Sequence, residues 1–137
     1  GVTTTNNNAI AVLIDSAGQL GTTSSTRRVK HNIEDMNNDS AALYNLRPVT
    51  FAYNSDITET KQYGLIAEEV DEVFPGIVVK DEDGQPETVQ YHVLPVLLLN
   101  EMQKQYTELL HHKALISYLQ DQLQTVVERM NVLETRL

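Results

Sequence analysis

A serine and a lysine five positions apart are the residues of this sequence best suited to chemistry. Ser25 and Lys30 flank a short basic stretch that contains Arg27 and Arg28. A serine hydroxyl becomes a nucleophile when a base accepts its proton, and a lysine can be that base if its surroundings favour the neutral amine. A spacing of five fits neither a helix repeat nor a strand alternation, but a bend or an irregular segment could still bring the two side chains within about 3 Å. The pair suggests a nucleophile and a general base; the alternative, which composition alone favours, is a solvated linker entering a basic turn.

The bulk composition limits the classes of function. The chain has 137 residues, 41% of them hydrophobic, and a formal net charge of −9. This length suits one domain, or a small domain with an extension. The acidic balance argues against nucleic acid or an anionic membrane as a partner. Because the chain has no cysteine, disulfides and thiolate metal sites are excluded. No apolar run approaches the roughly 18 residues of a membrane span.

The first 24 residues are expected to be the end of an upstream passenger segment. Residues 1–8 are rich in threonine and asparagine, residues 9–14 are an apolar run that predicts a strand, and residues 15–19 predict a turn. Residues 20–25 are small and polar, as is typical of an accessible segment that can be cut. The N-terminus lacks the charged and apolar regions of a signal peptide, so we expect a fragment of a larger protein.

The middle of the chain predicts a small mixed domain over residues 25–94. Residues 41–46 predict a short helix capped by Asp39-Ser40, and residues 67–74 predict an amphipathic helix whose early acids suit its N-terminus. Asp83-Gly84 favours a hairpin turn. The predicted strands are residues 49–53, 62–66, 77–79 and 88–91.

The C-terminal residues 95–137 carry a heptad pattern, here called the seam. Ten of its twelve positions are apolar, and the exceptions are Gln105 and His112. No glycine or proline interrupts residues 96–137, so the pattern predicts a coiled-coil helix roughly 60 Å long. A helix of that length cannot bury its apolar stripe on one small domain, and it needs partner helices. With Leu98 at position d, the seam allows a trimer without demanding one. The seam positions are 98, 102, 105, 109, 112, 116, 119, 123, 126, 130, 133 and 137.

Histidines and acids offer weaker candidates for metal or catalytic sites. His111 and His112 are adjacent on the predicted helix and point in different directions, so they do not chelate one ion together. On the seam, His112 would form a polar layer that fixes register, which is the favoured interpretation, or a trimeric ring that binds an anion or a metal. His92 is expected to be structural. The acids within residues 68–72 favour a solvated helix face, and residues 81–84 lack the later ligands of a calcium loop. We expect no metal and no cofactor.

Three short blocks, in order, resemble the intramolecular chaperone domains at the C-termini of phage endosialidases, tailspikes, tail fibres and neck appendage proteins. Residues 25–33 are similar to the family's Ser-x-x-Arg-x-Lys-x-Asn-Ile pattern. Residues 63–78 resemble its Gly-hydrophobic-Ile-Ala-Gln-Glu-Val stretch, which ends in Pro-x-x-Val. Residues 89–99 resemble its tyrosine-containing entry to the C-terminal helix. The likeness covers about residues 18–110.

The resemblance implies that the domain trimerises, aligns three passenger chains, assists their folding and then cuts itself off. Carried over to this chain, Ser25 is the nucleophile, Lys30 is the base and Ser24–Ser25 is the scissile bond. Thr26 stands where the family often has an acidic or polar residue, and Glu68 stands where it has glutamine. Neither departure replaces the Ser-Lys dyad. The resemblance places the protein in the virion, at a phage tail or appendage, before release and after folding in the host cytoplasm.

Together these observations predict an α+β fold. A small mixed globular domain, residues 25–94, is followed by a long C-terminal helix, residues 95–137, that forms a parallel homotrimeric coiled coil. The expected activity is that of a single-turnover autoproteolytic serine endopeptidase. Its partners are two further copies of the chain and the passenger, residues 1–24 and beyond, with no nucleic acid and no membrane. The alternatives are a permanent, non-catalytic trimeric adhesion tip of a fibre, and a coiled-coil scaffold in which the serine–lysine spacing is accidental.

Overall fold

The computed structural model describes residues 9–137. Residues 1–8 of the predicted passenger end lie outside the described residues. The chain divides after Asp35 into two units, and each is described by itself.

The first unit holds a two-stranded hairpin and a 3₁₀ turn. Strand β1, Leu13–Ile14, pairs antiparallel with β2, Leu20–Gly21. Asp15 closes the turn between them because its Oδ1 accepts two backbone N–H bonds, and Gly18 supplies the positive φ of 76°. The predicted turn is confirmed. The strand predicted at residues 9–14 is limited to its last two residues, since these are the ones that find a pairing partner.

The second unit contains two further antiparallel hairpins. Strand β3, Val49–Phe51, pairs with β4, Gln62–Gly64. Strand β5, Val78–Lys80, pairs with β6, Pro86–Val89. Gly84, with a φ of 78°, lies in the turn between β5 and β6, as the Asp-Gly pair predicts. The four strands predicted for this region are confirmed in place, with ends shifted by one or two residues.

A short helix and the start of the long one enclose the core of the second unit. Helix α1, Ala67–Val73, ends before Pro75, which begins a 3₁₀ turn. The 3-and-4 spacing of its apolar residues places Val70 against the sheet residues, and this side chain is only 1% exposed. Val70, Ile77, Val89 and Leu97 form the buried cluster. The predicted amphipathic helix is confirmed, one residue shorter than expected.

The helix predicted at residues 41–46 is a 3₁₀ helix, Ala41–Asn45. The prediction that Ser40 caps it is wrong. Its backbone angles, φ −88° and ψ −5°, are not the extended ones of an N-cap, and its side chain makes no capping hydrogen bond. Ser40 is instead fully buried, and its hydroxyl donates to Glu101 of the long helix.

Helix α2, Leu94–Glu134, is 41 residues long and has Pro95 in its first turn, where proline is tolerated. Only Leu97 and Glu101 of this helix are buried, and every residue from 105 to 137 is exposed. A small mixed α and β region followed by a long C-terminal helix is therefore confirmed. Within residues 9–137, no helix combines the length and the apolar character that a membrane crossing requires.

Candidate functional site

A single 3₁₀ turn, Arg27–Val29, separates Ser25 from Lys30. Thr26 caps the turn, and its Oγ1 accepts the backbone N–H of Arg28 at 3.5 Å. The Lys30 N–H closes the turn by donating to the Arg27 carbonyl at 3.2 Å. A 3₁₀ turn takes three residues and rises about 2 Å per residue. It therefore folds the two flanking residues toward the same side, which an extended chain would not do.

The turn brings the predicted nucleophile and base together. The Nζ of Lys30 donates a hydrogen bond to the Oγ of Ser25 at 3.0 Å. Both side chains are exposed in the single chain, while Thr26 between them is half-buried. Asn32 follows with a φ of 50°, a left-handed conformation that asparagine tolerates better than most residues. The Ser-x-x-Arg-x-Lys-x-Asn pattern thus corresponds to one local turn and its exit.

This geometry suits proton transfer between the two groups. A lysine ammonium can only donate, whereas a neutral amine can accept the hydroxyl proton across the same distance. Burial of the amine, or a nearby cation, favours the neutral form of any lysine. Arg27 and Arg28 are the closest cationic residues in the sequence, and both are exposed. Ser24 is exposed and lies outside any helix or strand, so the peptide bond before Ser25 is accessible.

A buried polar cluster in the second unit escaped the sequence analysis. The Ser40 hydroxyl donates to Oε1 of Glu101 at 2.5 Å, and Lys104 Nζ donates to the same oxygen at 2.9 Å. Asn100 Nδ2 donates to Ser40 Oγ at 2.6 Å. The hydrogen bonds from Lys104 and Ser40 hold the pKa of Glu101 below its usual value of 4.5, although burial acts in the opposite sense. The cluster joins the start of the 3₁₀ helix to the first turns of α2.

The acids of α1 are partly used in ion pairs. The Arg47 guanidinium binds Glu69 with two donors, and this pairing lowers the pKa of the Glu69 carboxyl. Lys80 Nζ donates to Asp71 at 2.9 Å. The prediction of a solvated helix face is therefore incomplete, because two of the four acids have cationic partners. In the part of one chain that the structure describes, no group of three or more histidine, cysteine, aspartate or glutamate side chains could hold a metal ion.

The remaining candidates stay apart from the serine–lysine pair along the chain. His92 lies in a 3₁₀ turn, Tyr91–Val93, directly before α2. The rings of His111 and His112 are 6.1 Å apart between centroids and inclined by 53°. Asp81 accepts the backbone N–H groups of Asp83 and Gln85 at 2.9 and 2.8 Å, so it forms a turn between β5 and β6.

Comparison with protein-family models gives a match to part of the chain. Residues 25–79 match the model of a family that is named as a peptidase and described as the chaperone of endosialidase. The match begins at Ser25 and includes Lys30, β3, β4 and α1. The family implies an intramolecular chaperone with autoproteolysis in phage fibres. A comparison with curated proteins found no match to the chain.

Proposed function

Since residues 25–79 form a chaperone of endosialidase domain, we propose that this chain trimerises an upstream phage fibre segment, assists its folding and then releases itself by cutting Ser24–Ser25. Ser25 is the nucleophile and Lys30 is the general base. The single observation that carries the assignment is the 3.0 Å hydrogen bond between Lys30 Nζ and Ser25 Oγ. Residues 1–24 are then the end of the passenger, residues 25–94 the globular chaperone domain and residues 95–137 the trimerisation helix.

The reaction we propose follows from the position of the hydroxyl directly after the scissile bond. Lys30 accepts the Ser25 hydroxyl proton while Oγ attacks the carbonyl carbon of Ser24, which closes a five-membered ring. The C–N bond then breaks, the amide nitrogen takes up the proton, and an ester joins Ser24 to Ser25 Oγ. Water hydrolyses this ester and leaves a carboxylate on Ser24 and a free amine on Ser25. Attack within one chain supplies several kcal/mol of the barrier through proximity.

Cleavage requires the serine–lysine pair to be shielded from solvent, and the pair is not shielded in the single chain. The amine must be neutral, and both members of the pair are exposed in one chain. We propose that the assembled trimer covers the pair, because desolvation disfavours the charged amine. Cleavage would then follow assembly, and each chain would react once.

The long helix supports the trimer. Its seam side chains are exposed on one chain, and association is the way to remove them from water. When Leu98 is assigned to d, Glu108 is at g and Lys113, five positions later, is at e. Arg129 and Glu134 occupy g and e in the same way, with the charges reversed. In parallel, in-register helices, g faces the e residue of the neighbour's next heptad. Both relations therefore place opposite charges across the interface.

The chaperone role follows from the physics of interwoven β chains. Their contacts are distant in sequence, so closure entropy opposes the first pairing and folding is slow. A trimeric helix at one end raises the effective concentration of the three passenger strands. After release, a folded passenger can persist because its unfolding is slow.

The test is the mass of the expressed chain, measured over time with residues 1–24 attached. We expect release of a fragment that ends at Ser24, and its loss in Ser25→Ala and in Lys30→Ala. Ser24→Ala and Arg28→Ala are matched controls, because they alter a neighbouring serine and a neighbouring cation but keep the pair. Cleavage that survives in Ser25→Ala would refute the mechanism.

A second function is favoured by the exposure of the serine–lysine pair in the single chain. The chain would then be a permanent, non-catalytic trimerisation and adhesion tip of a fibre. A folded trimer that keeps its intact mass under all conditions supports this alternative. A monomer or dimer by light scattering contradicts both functions.

A further inference from the structure

His112 is a polar residue of the seam, where the sequence alone favours a layer that fixes the register of the helices. It lies at d, between the a residues Leu109 and Ile116, in the uninterrupted helix α2. On one chain the three side chains are exposed, Leu109 to 48% and Ile116 to 55%. In a parallel trimer, d side chains of the three helices point to a common axis. Three imidazoles would therefore meet in one layer, with apolar layers above and below.

Buried imidazoles need partners for their ring nitrogens. A neutral imidazole has one donor nitrogen and one acceptor nitrogen, and buried polar atoms are nearly always hydrogen-bonded or bound to a metal. The two adjacent seam layers, leucine and isoleucine, offer no donor to an acceptor nitrogen on the axis. Three acceptor nitrogens facing one another match three ligands of a tetrahedral zinc site, whose fourth position holds water.

We propose that the three His112 side chains of the trimer bind one divalent transition-metal ion of the zinc or nickel class. Imidazole nitrogen is a preferred ligand of both ions. Glu108 lies one helical turn before His112 on the same face, so its carboxylate is placed to accept the other ring N–H and orient the ligand. This inference depends on the proposed trimer. Each chain would contribute one ligand to the site.

The adjacent His111 is a natural control. It lies at position c, away from the seam, and its ring is inclined by 53° to that of His112. Substituting it removes one imidazole from the same helical turn without touching the proposed layer. A site formed by surface histidines would depend on both residues, whereas the seam site depends on one.

The experiment uses the full chain without a histidine tag, stripped of metal with EDTA, at pH 7.5. Calorimetric titration with Zn²⁺ should show one ion per three chains, and the thermal unfolding midpoint should rise with free Zn²⁺, because the ion binds the assembled state. Both effects should disappear in His112→Asn, which keeps a polar layer, and remain in His111→Asn. The wild-type chain with Co²⁺ should give the intense visible bands of a four-coordinate ion at the same stoichiometry.

Light scattering on the same samples separates this inference from the proposed function. A trimer that binds no Zn²⁺, or that binds it equally well in His112→Asn, overturns the metal site and leaves the chaperone intact. Binding of one ion per chain that depends on His111 also overturns it, since that pattern marks a surface site. A chain that does not trimerise overturns both. If His112→Asn fails to assemble, the Co²⁺ spectrum and stoichiometry of the wild-type chain decide: absence of the four-coordinate bands refutes the site.

Discussion

Leu119→Ala tests the trimer through one layer of the seam. Leu119 is 54% exposed on the single chain. Fully burying a leucine side chain stabilises by about 1.5–3 kcal/mol, so burying its exposed half is worth about 1 kcal/mol per chain and about 3 kcal/mol per layer of three. At 1.4 kcal/mol per factor of ten, truncation should weaken trimer association about 100-fold. Alanine is the better helix former, so loss of helix propensity cannot account for the effect.

The assay is sedimentation equilibrium over a range of chain concentrations, with thermal unfolding at each concentration for a trimer too tight to dissociate. Asp121→Ala is the matched control, because position 121 is f, two residues away and outside the seam. Circular dichroism of both variants checks that the helix persists. If Leu119→Ala and Asp121→Ala change the association constant equally, the seam is not the interface and the reasoning fails.

Three further predictions concern the second unit. Leu97 is 8% exposed, so we expect Leu97→Ala to lower the unfolding free energy by about 2–4 kcal/mol, measured by urea denaturation. An unchanged midpoint would contradict the assignment of Leu97 to the core. In Gly64→Ala the new Cβ would lie 2.8 Å from the Tyr91 hydroxyl, so we expect the unfolding free energy to fall by about 1–3 kcal/mol. The decrease should be smaller when Gly64→Ala is introduced into the Tyr91→Phe variant, which lacks that hydroxyl. Because the folded state lowers the pKa of Glu101 from 4.5, its stabilisation is present above pH 4.5 and lost as pH falls through the folded value. Acid titration followed by circular dichroism should show this loss in the native chain and not in Glu101→Gln.

The elements that local signals specify were predictable from the sequence. The Asp-Gly pair placed the turn between β5 and β6, and the 3-and-4 spacing of apolar residues placed α1. The absence of glycine and proline after residue 96, together with the seam, indicated the long helix. Strand ends were less predictable, since β1 and β3 stop where their partners stop. Pairing, which depends on distant residues, decides those ends.

The site was predictable in its residues and not in its geometry. The sequence singled out Ser25 and Lys30, but the 3₁₀ turn that joins them depends on the Thr26 cap and on backbone hydrogen bonds that no periodicity indicates. The Ser40–Glu101 hydrogen bond joins residues 61 positions apart. A serine before a short helical run has the pattern of a cap. The Ser40 hydroxyl has a different partner because α2 packs nearby and places Glu101 within hydrogen-bond distance.

The side-chain amide of Gln105 in α2 donates to the Tyr44 hydroxyl at 2.6 Å, and every residue from Gln105 to Leu137 is exposed. In the proposed trimer, the rest of the helix would pack only against the neighbouring copies. If the seam forms the proposed trimer, whole heptads could be added, removed or exchanged for an unrelated three-stranded coiled coil, provided the register at Leu98 is kept. The length and thermal stability of the helical segment would then vary independently of the proposed cleavage site at Ser25.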